Sequence, residues 1–61
     1  MPLKIKTLLS IAKKNKLEAE DIYILMAWNE FGFDDIEINK EPFVVQVLWA
    51  VNKIIKFKAL Y

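Results

Sequence analysis

Apolar residues recur with the period of an α-helix in three separate stretches of this chain. In the first, about residues 3–14, they follow the i, i+3, i+4, i+7 spacing of one helix face. These positions are Ile5, Leu8, Leu9 and Ala12, with Ile11 beside them. Lys13, Lys14 and Lys16 crowd the end of this helix, where the helix dipole favours cations. Asn15 is the expected left-handed residue that terminates it.

The second helix, about residues 19–31, is apolar nearly all the way round. Acidic residues stand in or near its first turn, where negative charge is favoured, and Gly32, the single glycine, directly follows its end. Phe33 is positioned to make the hydrophobic contact that often accompanies such a cap. A helix with this pattern is buried on several sides, which in so short a chain predicts a second subunit.

The third helix, about residues 40–60, carries an apolar stripe with coiled-coil-like steps of four and three residues. This stripe consists of Phe43, Val47, Ala50, Ile54, Phe57 and Tyr61. An adjacent stripe consists of Val44, Leu48, Val51 and Ile55. Asn39 is the expected N-cap, and Pro42 is tolerated in the first turn. A strand over 43–51 is the competing interpretation, because that stretch is rich in β-formers.

Residues 34–39 alternate between polar and apolar side chains. The alternation favours a short extended connection that turns Ile36 and Ile38 inward, and the alternative is a helical turn capped by Asp34. The whole chain, residues 1–61, is therefore predicted to be one all-α domain. We expect three helices, with a helix-turn-helix-like first half and a long C-terminal helix.

Composition predicts that this domain associates with itself. Of its 61 residues 56% are hydrophobic, against about 45–50% in ordinary soluble domains. A domain of this length is marginal alone, and this one has no cysteine for a disulfide and no cysteine or histidine for a zinc site. Because large exposed apolar patches mark interaction sites, we expect a homodimer formed through the third helix and part of the second.

Charge occurs in three blocks of alternating sign. Residues 1–16 carry five lysines and no acid, residues 17–41 carry all eight acids and one lysine, and residues 42–61 carry three lysines and no acid. The acidic middle is therefore predicted to pack antiparallel to the basic ends, although each exposed pair contributes only about 0–1 kcal/mol. The absence of cysteine, of a secretory signal pattern and of a long apolar run predicts a soluble, cytoplasmic protein.

The residue inventory argues against catalysis. The chain has no histidine, cysteine or arginine, and apart from two tyrosines its hydroxyl groups are those of Thr7 and Ser10. Nucleophile-and-base arrangements need a positioned base, most often histidine. The stretch from Asp35 to Glu41 spaces oxygen atoms like a calcium loop, but it lacks glycine at the sixth position and glutamate at the twelfth. We predict no enzyme activity, no metal and no cofactor.

Residues 11–25 resemble the helix-turn-helix motif of DNA-binding proteins. The positions that pack the two helices of that motif are occupied here by Ala12, Leu17, Ile22 and Leu25. Lys16 stands where the motif usually has glycine, Asn15 stands at a normally apolar position, and the recognition helix would begin with acids although phosphate contact needs cations. If nucleic acid is bound, the expected contacts are Lys4, Lys13, Lys14, Lys16, Lys53 and Lys56.

Trp28 and Trp49 are the most unfavourable side chains to leave exposed. Trp28 is predicted in the core or the dimer core, whereas Trp49 falls towards the polar side of the third helix and is an expected interface anchor. The full expected partner interface consists of Val45, Trp49, Phe43, Phe57, Tyr61 and Trp28.

These patterns predict a non-catalytic protein–protein interaction or regulatory module that self-associates through apolar helical surface. One alternative is a helix-turn-helix-type nucleic-acid-binding protein. Another is a membrane-surface-binding protein that uses its lysine-rich first helix. Small, lysine-rich, arginine-free helical proteins are often phage- or plasmid-type inhibitors or adaptors. The pattern leaves open which partner is bound and whether a second copy or a different protein covers the apolar excess.

Overall fold

The computed structural model describes residues 3–60, with the backbone alone at Asp34. Its three α-helices are α1 (Leu3–Lys14), α2 (Ala19–Glu30) and α3 (Phe43–Ala59). Two short 3-10 turns, Gly32–Asp34 and Ile38–Lys40, connect α2 to α3. The predicted all-α three-helix architecture is confirmed, and the competing strand over 43–51 is wrong because that stretch is helical throughout.

The core takes apolar side chains from every helix and from the first 3-10 turn. Its members are Leu8, Ala12, Leu25, Phe33, Val47, Ala50, Val51 and Ile54. Phe33 is the largest fully buried side chain among the described residues. The first predicted stripe of α3 supplies three of the eight members, whereas Phe43 of the same stripe is half-buried and Phe57 is exposed.

The turn after α1 differs by one residue from the prediction. Lys16, not Asn15, takes the left-handed conformation, with φ 60°. Asn15 instead donates both its backbone N–H and its side-chain Nδ2 to the carbonyl of Ile11, at 3.1 and 2.8 Å. Lys16 is thus the residue that reverses the chain, at the position where a helix-turn-helix motif usually has glycine.

The end of α2 matches the predicted glycine cap. Gly32 has φ 75° and Phe33 has φ 57°, so two successive residues turn the chain back towards the core. The Phe33 ring then lies 5.7 Å from the ring of Trp28 in the last turn of α2. This is the hydrophobic contact across the cap that the sequence predicts.

The connection 34–39 is not extended, and this prediction was wrong. The N–H of Ile38 donates to Asp35 Oδ1 at 2.9 Å, a local side-chain bond that stabilises a turn. Ile36 is 78% exposed instead of turned inward, and Ile38 is half-buried. The side chain of Asp34, the cap proposed in the alternative, lies outside the described part of the chain.

Helix α3 begins at Phe43 and not at about residue 40, so Asn39 is not its N-cap. Glu41 has φ −84° and ψ 161°, which is extended backbone. A residue before proline is pushed out of the helical region by the proline ring. Pro42 therefore sets the start of α3 and leaves Asn39 inside the preceding 3-10 turn.

Helices α2 and α3 run antiparallel. Asp21 at the start of α2 pairs with Lys58 at the end of α3, at 2.8 Å, and Trp28 near the end of α2 packs against Trp49, with ring centroids 5.1 Å apart and ring planes tilted by 47°. One ion pair thus joins the acidic middle of the chain to its basic C-terminal block, and among the described residues no ion pair joins the acids to the lysines of residues 1–16. None of the helices within residues 3–60 is long and apolar enough to cross a bilayer.

Candidate interaction surfaces

An aromatic cluster of Trp28, Phe33 and Trp49 joins α2, the first 3-10 turn and α3. The rings of Phe33 and Trp49 lie 6.4 Å apart and edge to face, and Trp28 contacts both. The Nζ of Lys53 stands 5.7 Å from the centre of the Trp49 ring, within cation–π range. Trp49 is therefore half-buried between an aromatic neighbour and a lysine, and it helps to hold α3 against α2.

A groove of about 610 Å³ runs between α2 and α3, and we call it the α2–α3 groove. Its lining consists of Asp21, Ile24, Trp28, Lys53, Ile54, Phe57 and Lys58. The middle of this lining is apolar, and its charged members stand at the ends. Ile24 and Phe57 are both more than half exposed. The volume falls in the range of about 300–1,000 Å³ that is typical of ligand pockets.

The Asp21–Lys58 ion pair closes one end of the α2–α3 groove. Asp21 is buried, and besides the bond from Lys58 it accepts a backbone N–H from Glu18 at 3.3 Å. The Lys58 hydrogen bond holds the pKa of Asp21 below its ordinary value of 3.8, although burial opposes this shift. The same bond raises the pKa of Lys58 above 10.5. Both groups are therefore charged at neutral pH and lock the register of α2 on α3.

This pair predicts loss of stability at both extremes of pH. The pKa of Asp21 is lower in the folded than in the unfolded protein. Its contribution to the free energy of unfolding is therefore complete above its ordinary pKa of 3.8 and disappears as pH falls through the folded-state pKa. The pKa of Lys58 is higher in the folded than in the unfolded protein. Its contribution to the free energy of unfolding is therefore complete below its ordinary pKa of 10.5 and disappears as pH rises through the folded-state pKa. We expect Asp21→Asn to lower the melting temperature at neutral pH and to flatten its fall on acidification.

Circular dichroism melts between neutral pH and about pH 2 check this expectation. The matched control is Glu20→Gln, since Glu20 is an exposed acid in the same helical turn. Glu20→Gln should change the profile much less than Asp21→Asn, because Glu20 is exposed and attracts Lys58 without a hydrogen bond to it. An unchanged acid profile in Asp21→Asn would show that the pair does not stabilise the fold.

The second predicted stripe of α3 is largely uncovered. Val44, Leu48 and Ile55 are 48%, 42% and 41% exposed, whereas Val51, in the middle of the stripe, is fully buried. Val45 lies next to the exposed members and is exposed as well. We call Val44, Val45, Leu48 and Ile55 the α3 stripe. At about 100° per residue, Ile55 points roughly opposite to Phe57, so the α3 stripe and the α2–α3 groove lie on different sides of α3.

The six residues predicted as one interface lie in different places. Trp28 and Trp49 belong to the aromatic cluster, Phe57 lines the α2–α3 groove, and Val45 belongs to the α3 stripe. Phe43 is half-buried against the core beneath the Nζ of Lys4, which is 5.5 Å from its ring centre. Tyr61 lies outside the described residues.

Other exposed apolar residues lie outside the predicted interface, namely Ile24, Val44, Leu48 and Ile55. For the three residues on α3, the signal was present in the 4-3-4 spacing of the second stripe. For Ile24 the sequence carried no such signal, because α2 is apolar nearly all round.

The lysines predicted as nucleic-acid contacts are all exposed. Lys13, Lys14 and Lys16 gather at the end of α1, and Lys56 lies near the end of α3. Lys4 and Lys53 stand over aromatic rings. In the recognition position, α2 exposes an acidic first turn and apolar side chains. Among the described residues, no three potential metal ligands cluster together.

Comparison with protein-family models, with curated proteins and with solved structures finds no match to this chain. Its function is therefore inferred from its own residues and surfaces.

Proposed function

We propose that the protein is a non-catalytic protein–protein interaction module that self-associates through apolar helical surface. The observation that supports this proposal is the amount of apolar surface left in water. Within residues 3–60, eleven large hydrophobic side chains are each at least 40% exposed, whereas the buried core has eight members. Burying apolar surface stabilises an assembly by roughly 25 cal/mol per Å², so this surface favours association.

The α2–α3 groove supports the binding of a different protein. It is apolar in the middle and charged at both ends, with Lys53 exposed at the end opposite the Asp21–Lys58 pair. These features fit the apolar face of a partner helix that carries an acidic residue facing Lys53. Amphipathic helices are commonly recognised in grooves of this kind.

A role without chemistry is supported by the inventory of side chains. With no histidine, cysteine or arginine, the chain lacks the usual general base, thiol nucleophile and guanidinium clamp. A module of this kind regulates by occupying a surface on its partner. We place it in the cytoplasm as a homodimer, a proposal supported by its lack of cysteine and its apolar excess.

Native mass by light scattering on a sizing column, at low and high salt, tests the self-association. We expect a dimer in both conditions, because salt does not screen the burial of apolar surface. Attraction between exposed charges is screened, since the Debye length falls from about 10 Å at 0.1 M salt to about 3 Å at 1 M. A monomer in both conditions contradicts the proposal. A dimer that dissociates at high salt would show that charge, not apolar surface, holds the assembly together.

Nucleic-acid binding receives less support from the structure. The exposed lysines at the end of α1 could contact phosphates. However, the helix that would enter the major groove carries Glu20 and the buried, paired Asp21 in its first turn, and it bears no cation. Since phosphate contact supplies most of the affinity for DNA, an acidic leading turn works against this role.

A further inference from the structure

We infer that the α3 stripe is the docking surface for a second copy of this chain, with the two α3 helices packed antiparallel. The inference rests on the proposed self-association and specifies its partner, surface and direction. It is drawn from the spacing of the stripe, the distribution of charge along α3 and the position of the stripe relative to the α2–α3 groove.

The spacing of apolar residues along this side of α3 is symmetric. Val44, Leu48, Val51 and Ile55 are separated by four, three and four residues, which is the same in either direction. In an antiparallel pair, Val44 therefore lies opposite Ile55 of the second copy, and Leu48 lies opposite its Val51. A two-fold interface requires this kind of self-complementarity. Val51 has no exposed surface, so contact near the two-fold axis is made by Leu48 of each copy, and the two Leu48 positions lie about 4.5 Å apart along the helix axis.

The first ten residues of α3 can be covered without removing a charge from water. From Phe43 to Asn52 the helix contains no acidic or basic residue, and on the exposed side Asn52 is the polar member. Burying an ionised group without a partner is strongly unfavourable. An uncharged patch flanked by charges is therefore well suited to a dry contact between two copies.

Charge at the two ends of α3 selects the antiparallel arrangement. Exposed Glu37 and Glu41 precede the helix, and exposed Lys56 lies near its end, as does Lys58. Antiparallel packing places Lys56 near Glu41 of the second copy, at both ends of the contact. Parallel packing would place lysine against lysine and glutamate against glutamate, and such like-charge juxtaposition disfavours the wrong pairing.

This arrangement leaves the apolar middle of the α2–α3 groove uncovered in both copies. Ile55 and Phe57 are two residues apart, a rotation of about 200° around the helix, so a copy docked on the α3 stripe does not reach Phe57. Lys58, at the end of the groove, is about 60° from Ile55 and borders both surfaces. The dimer would then present two grooves on its outer sides and could engage two partner helices at once.

Disulfide trapping tests the pairing, and the chain has no cysteine of its own to interfere. Single variants Val44→Cys and Ile55→Cys are oxidised mildly, alone and as an equimolar mixture, and the products are resolved by mass spectrometry. We expect the mixed Val44→Cys/Ile55→Cys disulfide as the main crosslinked product. Homodimeric disulfides should be minor, since the two Val44 positions in an antiparallel pair are about 16 Å apart, and disulfides need Cα atoms within about 7 Å.

The other outcomes are decisive as well. If each variant crosslinks efficiently with itself and the mixture shows no preference, the helices are parallel and the inference is wrong. If no crosslink forms although light scattering gives a dimer, the dimer uses another surface, and the proposed self-association stands without this inference. A monomer by light scattering would contradict both.

A matched pair of charge insertions provides a second test that does not depend on cysteine chemistry. Leu48→Lys places a cation in the α3 stripe, whereas Ile36→Lys places one on an exposed isoleucine in the connection before α3. We expect Leu48→Lys to be monomeric and still helical by circular dichroism, and Ile36→Lys to remain dimeric. A dimeric Leu48→Lys protein would overturn the inference.

Discussion

Replacing Phe33 by alanine is expected to remove between about a third and all of the protein's free energy of unfolding. The Phe33 ring is fully buried and contacts the rings of Trp28 and Trp49. Truncation of a buried phenylalanine costs about 3–5 kcal/mol. At about 0.05–0.15 kcal/mol per residue, a 61-residue domain has about 3–9 kcal/mol of stability in total. Urea unfolding followed by far-ultraviolet circular dichroism measures the loss.

The control for Phe33→Ala is Phe31→Ala, the same truncation two residues earlier. Phe31 is 82% exposed, so its removal should change stability by no more than about 0.5 kcal/mol. Equal losses in the two variants would contradict the assignment of Phe33 to the core.

Replacing Trp49 by alanine is expected to lower the free energy of unfolding by about 3 kcal/mol, at the low end for tryptophan truncation because the ring is only half-buried. The loss comes from the contact with Trp28, whose ring centre is 5.1 Å away. A double-mutant cycle with Trp28→Ala should give a coupling free energy of about 0.5–1.5 kcal/mol. Chemical denaturation of the wild type, the two single variants and the double variant provides the four values.

The same Trp49 variants separate a stabilising role from an interface role. Trp49→Phe keeps an aromatic ring against Trp28 and should recover part of the stability. If Trp49→Ala is destabilised but retains the native mass of the wild type, Trp49 acts within the subunit and not as the interface anchor that its sequence position suggests. A variant with unchanged stability would contradict the role of the aromatic cluster.

The sequence predicted those parts of the fold that depend on local chemistry. The period of α1 and the glycine after α2 placed their ends within a residue, because helix faces and left-handed caps involve neighbours in the chain. The connection before α3 was mispredicted, because polar–apolar alternation is shared by strands and by turns. The sequence did contain a local signal for the true start of α3. Glu41 precedes a proline, which disfavours helical backbone at that residue and therefore a helix that starts at about residue 40.

The candidate surfaces were predictable only in part. The 4-3-4 spacing identified the second stripe of α3 from the sequence, but not that Val51 would be buried while Leu48 stayed exposed. Trp49 falls on the polar side by periodicity, yet its ring is half-covered by α2. A helical wheel describes one helix at a time, so a wheel of α3 does not show that the Trp28 ring of α2 covers Trp49.

The sequence by itself determined the three helices, their apolar faces, the alternation of charge and the absence of histidine, cysteine and arginine, because spacing and inventory are properties of the chain alone. Only the tertiary structure decided which apolar faces are covered, that Asp21 pairs with Lys58, and that the α2–α3 groove and the α3 stripe lie on different sides of α3. Residues of equal hydropathy become core or surface according to where neighbouring helices pack, and that depends on contacts between residues far apart in the chain.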